Sequence, residues 1–322
     1  MTRPAVVIHL PIGCLLGQEH IAPYFHKLRD GLSERKIRVE IEALDRDGLL
    51  RRIDGDKDFH IVNHGNFRHP RALNTASAYI APFWYLDPEG VRLQSSIGER
   101  TFDPAAIDPA KAQNFFAALR RRRVSERVSR YPQAEGTEEF PKGAIAVFLQ
   151  NGAADAGAFF GRREMIDALL SRHDTSPILI KPHPRDDGED TAELLAVAAR
   201  DPRVRVTHAN IHDILSSARV TVMLNSAVGL ESMMHRVPVV LCGPSDFHHS
   251  AVTVRDAFDL DAGLAKARLW PWHYAAFLYW FLKVNCVNAG APDMIDDVLN
   301  RIAATGYDVN RLYPQQQRSP AN

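Results

Sequence analysis

Short apolar runs alternate with stretches of helical periodicity along most of this chain, and the alternation occurs twice. In the N-terminal half, 5–10, 39–44 and 59–63 read as strands, and 21–34 places Ile21, Phe25, Leu28 and Leu32 on one helical face. The pattern restarts after residue 143. Strands at 144–149, 178–180, 204–207, 220–224 and 238–242 are separated by helices at 163–171, 191–199, 211–217 and 228–235. Strand and helix alternating at this rhythm build parallel sheets, so the expected class is α/β. The polar stretch 132–142, with Gly136 and Pro141, reads as a linker. At 322 residues the chain has room for two domains. These are expected at 1–135 and at 143–322, two Rossmann-like domains facing a cleft, the second with five or so parallel strands.

The remaining stretches are less regular. Residues 79–98 form an irregular aromatic segment, and 110–128 reads as a helix whose run Arg120–Arg123 is expected to be a solvated face. Residues 269–284, with Trp270, Trp272, Tyr274, Phe277, Tyr279, Trp280 and Phe281, read as an aromatic helix buried between domains. A bilayer surface is the alternative, although Lys283 alone is a poor basic face. The polar tail after Tyr313 is expected to be loose.

Charge excludes one class of partner. Lys+Arg and Asp+Glu are both 39, so no bulk attraction to nucleic acid is expected. Cys14, Cys242 and Cys286 are far apart, odd in number and without metal-type spacing, which fits a reducing compartment. The N-terminal apolar run ends at His9 and reads as a first strand rather than a signal peptide. No stretch reaches the roughly 20 apolar residues that span a bilayer.

Candidate chemistry collects at the strand ends of the second half. Ile178-Leu179-Ile180 stops at Lys181, and Pro182 and Pro184 bracket His183, restricting the backbone on both sides. Open α/β sheets bind ligands at such carboxyl ends. The neighbouring ends offer Gln150-Asn151, Thr207-His208 and Asn225-Ser226. Ser226 and Ala227 open a helix whose free N–H groups can hold a phosphate or carboxylate, and Glu231 can face the same cleft and bond a ribose. A capping role for Ser226 and a solvated Glu231 are the plainer alternatives. Neither half has a Gly-x-Gly-x-x-Gly after its first strand, and no Walker sequence occurs. Asp155, Asp186 and Asp187 lack metal-site spacing, so no metal is expected. Together these groups suit a nucleotide-activated donor.

Ala146–Leu149 with Gln150, then Lys181-Pro182-His183-Pro184, then Asn225-Ser226-Ala227-Val228-Gly229-Leu230-Glu231 resemble the capsule polysaccharide biosynthesis proteins. These are bacterial transferases of 3-deoxy-manno-octulosonic acid (Kdo), of GT-B architecture, that use a CMP-linked sugar. Sialyltransferases, polysialyltransferases and glycerophosphotransferases share the pattern more loosely. In the N-terminal half, Glu89-Gly90 with Ser95-Ser96-Ile97-Gly98 resembles the family's acidic-Gly element, with Asp87-Pro88-Glu89 where two adjacent acidic residues are usual.

The resemblance implies that His183 contacts the CMP phosphate, that Ser226 and its helix hold phosphate, and that Glu231 binds ribose. Lys181 would supply charge or support the turn, and Glu89 or Asp87 would be the catalytic carboxylate. The implied enzyme is a cytoplasmic glycosyltransferase, peripheral on the inner face of the cell membrane. It would move Kdo or a related ulosonic acid from a CMP-sugar to a glycan or glycolipid without cofactor or metal. A CDP-glycerol-type phosphotransferase and a non-catalytic GT-B-like binding subunit are the alternatives.

Overall fold

The computed structural model describes residues 3–314. The chain divides into two compact units, one holding the residues up to Ile97 together with those from Leu282 onward, the other Gly98–Phe281.

The first unit begins with β1 (Val6–Leu10), every residue of which is buried, followed by a short helix, α1 (Ile12–Leu15). Helix α2 (Pro23–Glu34) has proline at its first position, where no amide bond is lost, and buries Tyr24, Phe25, Leu28 and Leu32. Then come β2 (Val39–Ala43), α3 (Leu49–Asp54), β3 (Phe59–Asn63), β4 (Ala72–Ser77) and β5 (Phe83–Asp87). Strands β2-β1-β3-β4 are parallel, and β5 runs antiparallel to β4. The stretch expected to be irregular thus contains a strand. Its partner β4, Ala-Leu-Asn-Thr-Ala-Ser, has almost no β-branched signal, and pairing Asn74 with Asp87 and Thr75 with Leu86 supplies what propensity does not.

The second unit carries α4 (Pro109–Arg120), whose N-cap Asp108 accepts the amides of Ala110 and Lys111, and a π-helical turn, Arg121–Ser125. Its sheet and helices follow as β6 (Ala144–Phe148), α5 (Arg162–Leu170), β7 (Ile178–Lys181), α6 (Glu189–Ala198), β8 (Val204–Val206), α7 (Ile211–Ser217), β9 (Ala218–Met223), α8 (Val228–Met234), β10 (Val239–Leu241), β11 (Val252–Thr253), α9 (Leu260–Leu269) and α10 (Tyr274–Leu278). All six strands are parallel in the order β11-β10-β9-β6-β7-β8, one strand more than expected. This is the order of a dinucleotide-binding sheet, and its direction reverses between β6 and β9. Two Rossmann-like domains, read from the alternation, are therefore present.

Their boundaries are not where composition put them. The polar stretch 132–142 lies inside the second unit and is tied to α7. The Gln133 side chain accepts the amide of Ile211 at 3.1 Å, Asn210 donates to the Ala134 carbonyl at 3.2 Å, and the Glu138 amide donates to Asp213 at 3.0 Å. Polar residues that read as solvated linker are engaged by side chains far away in sequence.

The aromatic helix is also corrected. Trp270 and Trp272 precede α10, and Phe277 and Trp280 bury against Phe102 and His249 of the same unit. From Leu282 the chain belongs to the first unit again. There β12 (Val287–Asn288) pairs antiparallel with β5, and α11 (Met294–Ala304) adds Met294, Ile295, Val298, Leu299 and Ile302 to the core around Leu28 and Leu32. Helices α2 and α11 approach so closely that a Cβ on Gly31 would lie 2.6 Å from Ile295. The tail expected to be loose falls, from residue 315, outside the described residues.

A fragment ending at residue 135 lacks β12 and α11, and we expect it to show no cooperative urea transition. In the whole chain, Ile302→Ala should lower unfolding free energy by about 2–4 kcal/mol, read from the urea midpoint.

Candidate functional site

The reversal point of the second sheet is the natural place for a ligand, and the expected residues frame it. Gln150 follows β6 and Asn225 follows β9. Their side chains interlock: Gln150 Nε2 donates to Asn225 Oδ1 at 2.9 Å, and the Asn225 amide donates to Gln150 Oε1 at 3.1 Å. Beyond Asn225, Ser226 Oγ accepts the amide of Val228 at 3.4 Å, so the hydroxyl caps the opening of α8. Ala227 is the N-cap position itself, and Asn151, exposed, precedes the turn Gly152–Gly157. On the other side of β6, β7 ends in Lys181. The exits of β7 and β9 are two strand spacings apart, about 10 Å.

His183 and Glu231 converge on three consecutive residues, Ser129, Arg130 and Tyr131. The His183 ring meets the Tyr131 ring edge-to-face at 5.2 Å, and Arg185 and Arg130 stand over Tyr131 at 5.0 and 5.7 Å. Glu231 is buried, takes a hydrogen bond from Ser129 and feels the charges of Arg123 and Arg130. Burial dominates and pushes its carboxyl up to about 7. His183 is half-buried, and burial with the Arg185 charge lowers its proton affinity. Its Nδ1 accepts the Arg185 amide at 3.2 Å, so in the neutral ring Nε2 carries the proton. A pocket of about 600 Å³, lined by Glu126, Ser129, Arg130, Tyr131, Gln133 and Asn210 among others, opens along this segment.

Other expected residues are structural here. Lys181 is buried and donates to the carbonyls of His208 at 3.0 Å and Ala209 at 2.7 Å, so its charge ties the β7 and β8 exits together. The His208 side chain is exposed. The run Arg120–Arg123 is split: Arg121 and Arg122 are exposed, while Arg120 lies over Phe116 and Arg123 is half-buried beside Glu231.

The sequence reading missed Ser129, Arg130, Tyr131 and Arg162. Arg162 is buried and donates to Gln150 O at 3.1 Å, Thr191 Oγ1 at 2.7 Å, Asp155 at 3.1 Å and Asp186 at 3.3 Å. It thereby braces the loops after β6 and β7. Asp155 and Asp186, weighed as metal ligands, are spent on this arginine.

In the first unit Asp87 closes the β5 turn. Its oxygens accept the amides of Glu89 (2.9 Å), Gly90 (3.2 Å) and Ser96 (3.0 Å), and the Ser96 hydroxyl (2.7 Å). Glu89 is partly exposed, 3.7 Å from Arg68, whose side chain is 82% exposed. Gly90 passes close to the backbone: a Cβ there would lie 2.7 Å from Gln94 O. At the β1–β3 reversal, His9 Nε2 meets His60 Nδ1 at 2.9 Å, and His60 reaches Asp56 at 3.2 Å. Among the described residues no group of three or more His, Cys, Asp or Glu could hold a metal ion. Among the described residues no helix is long and apolar enough to cross a membrane.

These titrations have opposite signs. His9, His60 and His235 are pulled down to about 4, chiefly by burial, so they erode stability as pH falls from about 6.5 toward 4. Glu231 binds its proton more tightly folded than unfolded. It therefore erodes stability as pH rises from about 4.5 to 7. Glu231→Gln should remove that second loss, gaining on the order of 3 kcal/mol over the parent between pH 4.5 and 7.5 in urea titrations.

None of the curated proteins matches this chain in sequence. Two solved structures from Thermosulfurimonas dismutans are similar in fold, the KpsC beta Kdo 2,7 transferase and the KpsC beta Kdo 2,4 transferase, with TM-scores of 0.56 and 0.52. Each is 14% identical and covers 94% of this chain, over 100% and 98% of its own length. The fold is thus the two-domain Rossmann-like type called GT-B. Residues 149–283 match the model of the family described as capsule polysaccharide biosynthesis protein. That segment, under half of the chain, contains Lys181-Pro182-His183-Pro184 and Ser226–Glu231.

Proposed function

We propose that this protein is a glycosyltransferase of capsule or surface polysaccharide synthesis. Its donor in this reading is a CMP-linked Kdo or related ulosonic acid, and its acceptor a glycan or glycolipid at the membrane. The observation that carries the reading is the convergence of His183 and Glu231 on Ser129–Tyr131, beside the Gln150–Asn225 pair at the sheet's reversal point.

The phosphate of the donor is assigned to the Nε2–H of His183, the guanidinium groups of Arg130 and Arg185, and the amides of Ser226 and Ala227 that lead into α8. A ribose diol is assigned to Glu231, where it replaces the Ser129 hydroxyl. Lys181 and Arg162 act as positioning residues that fix the loops. When the acceptor oxygen bonds to the anomeric carbon, the bond to CMP breaks and its electron pair leaves on phosphate. Charge stabilisation at that phosphate is the main work of the second unit. The acceptor's proton passes to a carboxylate. Asp87 is occupied in closing its turn, so Glu89 is assigned that role. No step needs a metal.

Thermal-shift titration with cytidine, uridine, guanosine and adenosine nucleotides tests the donor class, since only a ligand of the folded form raises the melting temperature. CMP should raise it in the parent and not in His183→Ala. Preference for another base, or an unchanged response in His183→Ala, contradicts the assignment. In transfer assays Glu89→Gln should lose about a hundredfold or more in kcat with its stability intact. Asp87→Asn should instead lower the melting temperature. Turnover of CDP-glycerol without turnover of a CMP-sugar would select phosphotransfer.

A further inference from the structure

The elbow between α9 and α10 presents an unusual surface. Leu269, the last residue of α9, is 86% exposed, and Trp270 beside it is 39% exposed. Pro271 follows, also exposed, and Lys266 and Arg268 occupy the same last turn of the helix. Lys266 Nζ lies 4.9 Å from the centre of the Trp270 ring, and among the described residues neither cation joins an ion pair. Asp261 is five residues back along α9 from Lys266 and seven from Arg268, about 7 and 10 Å along the helix.

This exposure is built into the fold. Trp272 Nε1 donates to the Ala267 carbonyl at 2.9 Å, and its ring stacks on Tyr274 with an interplanar angle of 4°. One tryptophan therefore locks the elbow while the other, with Leu269, is held outward. Lys266 and Arg268 complement the negative end of α9, which accounts for the cations. It does not account for a leucine and a tryptophan kept in water beside them. An aliphatic tip, an amphipathic indole and flanking unpaired cations are the groups that partition into the headgroup boundary of an anionic bilayer.

We propose that the α9–α10 elbow, Lys266 to Pro271, is a membrane-surface anchor that inserts Leu269 and Trp270 among the headgroups of anionic lipids. The anchor is independent of the donor chemistry proposed above, and nucleotide binding does not depend on it. It would hold the protein at the surface where a lipid-borne acceptor is presented.

Sedimentation of the full chain with phosphatidylcholine vesicles, and with vesicles that also contain phosphatidylglycerol, tests this. The parent should bind the phosphatidylglycerol vesicles, with a blue shift of tryptophan emission, and bind phosphatidylcholine weakly. Leu269→Asp should weaken binding more than tenfold, the cost of forfeiting a buried leucine. Lys266→Glu/Arg268→Glu should remove the preference for phosphatidylglycerol, each lost cation alone contributing about fivefold. Because Leu269 and both cations face solvent, melting temperature and CMP response should be unchanged in these variants. No binding by the parent, or equal binding by Leu269→Asp, overturns the proposal. So does a Leu269-dependent dimer, seen by analytical ultracentrifugation, that does not bind vesicles.

Discussion

A carboxylate taken out of water is the constraint around which the second unit is arranged. Glu231 is only 5% exposed, and the hydroxyl of Ser129 and the charges of Arg123 and Arg130 are what answer it. Burying such a group is costly unless its partners are held in place, so Ser129 and Arg130, a few residues beyond the helix-and-turn 109–125, are held against Glu231 of α8. The same segment carries Tyr131 to the His183 ring. One electrostatic debt therefore fixes the loop on which a histidine and a glutamate, far apart in sequence, come together.

Other charges in the molecule are spent on geometry rather than chemistry. Lys181 holds two carbonyls, Arg162 spans four partners across the loops after β6 and β7, and Asp87 closes a turn through Glu89, Gly90 and Ser96. Lys181 and Asp87 end strands and Arg162 opens α5, and each could be mistaken for a ligand-binding group. Their hydrogen bonds distinguish them. A group whose donors or acceptors are filled by other groups of the chain positions a loop, whereas Glu89 is partly exposed and the Nδ1 bond of His183 leaves its Nε2 to carry the proton. Bonds of this kind brace the strand exits, and a braced exit is what a phosphate site requires.

Much of this was legible in the residues. The strand runs at 144–149, 178–180 and 220–224 were clear because fully buried parallel strands leave continuous apolar stretches. They placed Gln150, Lys181, His183 and Asn225 at the carboxyl edge. What was not legible depends on contacts distant in sequence. Strand β4 has one β-branched residue, Thr75, and is made by pairing with β3 and β5. The segment 132–142 looked like linker because nothing local shows that Asn210 and Asp213 will bond it. Helix α11 completes the core of a sheet whose other strands lie some two hundred residues earlier, a closure that no local pattern announces. Ser129–Tyr131 escaped notice because a Ser-Arg-Tyr tripeptide is unremarkable until the fold sets it against His183 and Glu231.

A cytidylate bound in the second unit would sit against residues 129–131. Amide hydrogen exchange of the full chain with and without CMP measures this directly. The arrangement predicts slowed exchange at 129–131, 183–186 and 225–231, with the rest of the second sheet unchanged. Slowing confined to other surfaces, such as the cavity lined by Phe159, Arg172, Arg255 and Asp261, or no slowing at saturating CMP, would contradict it.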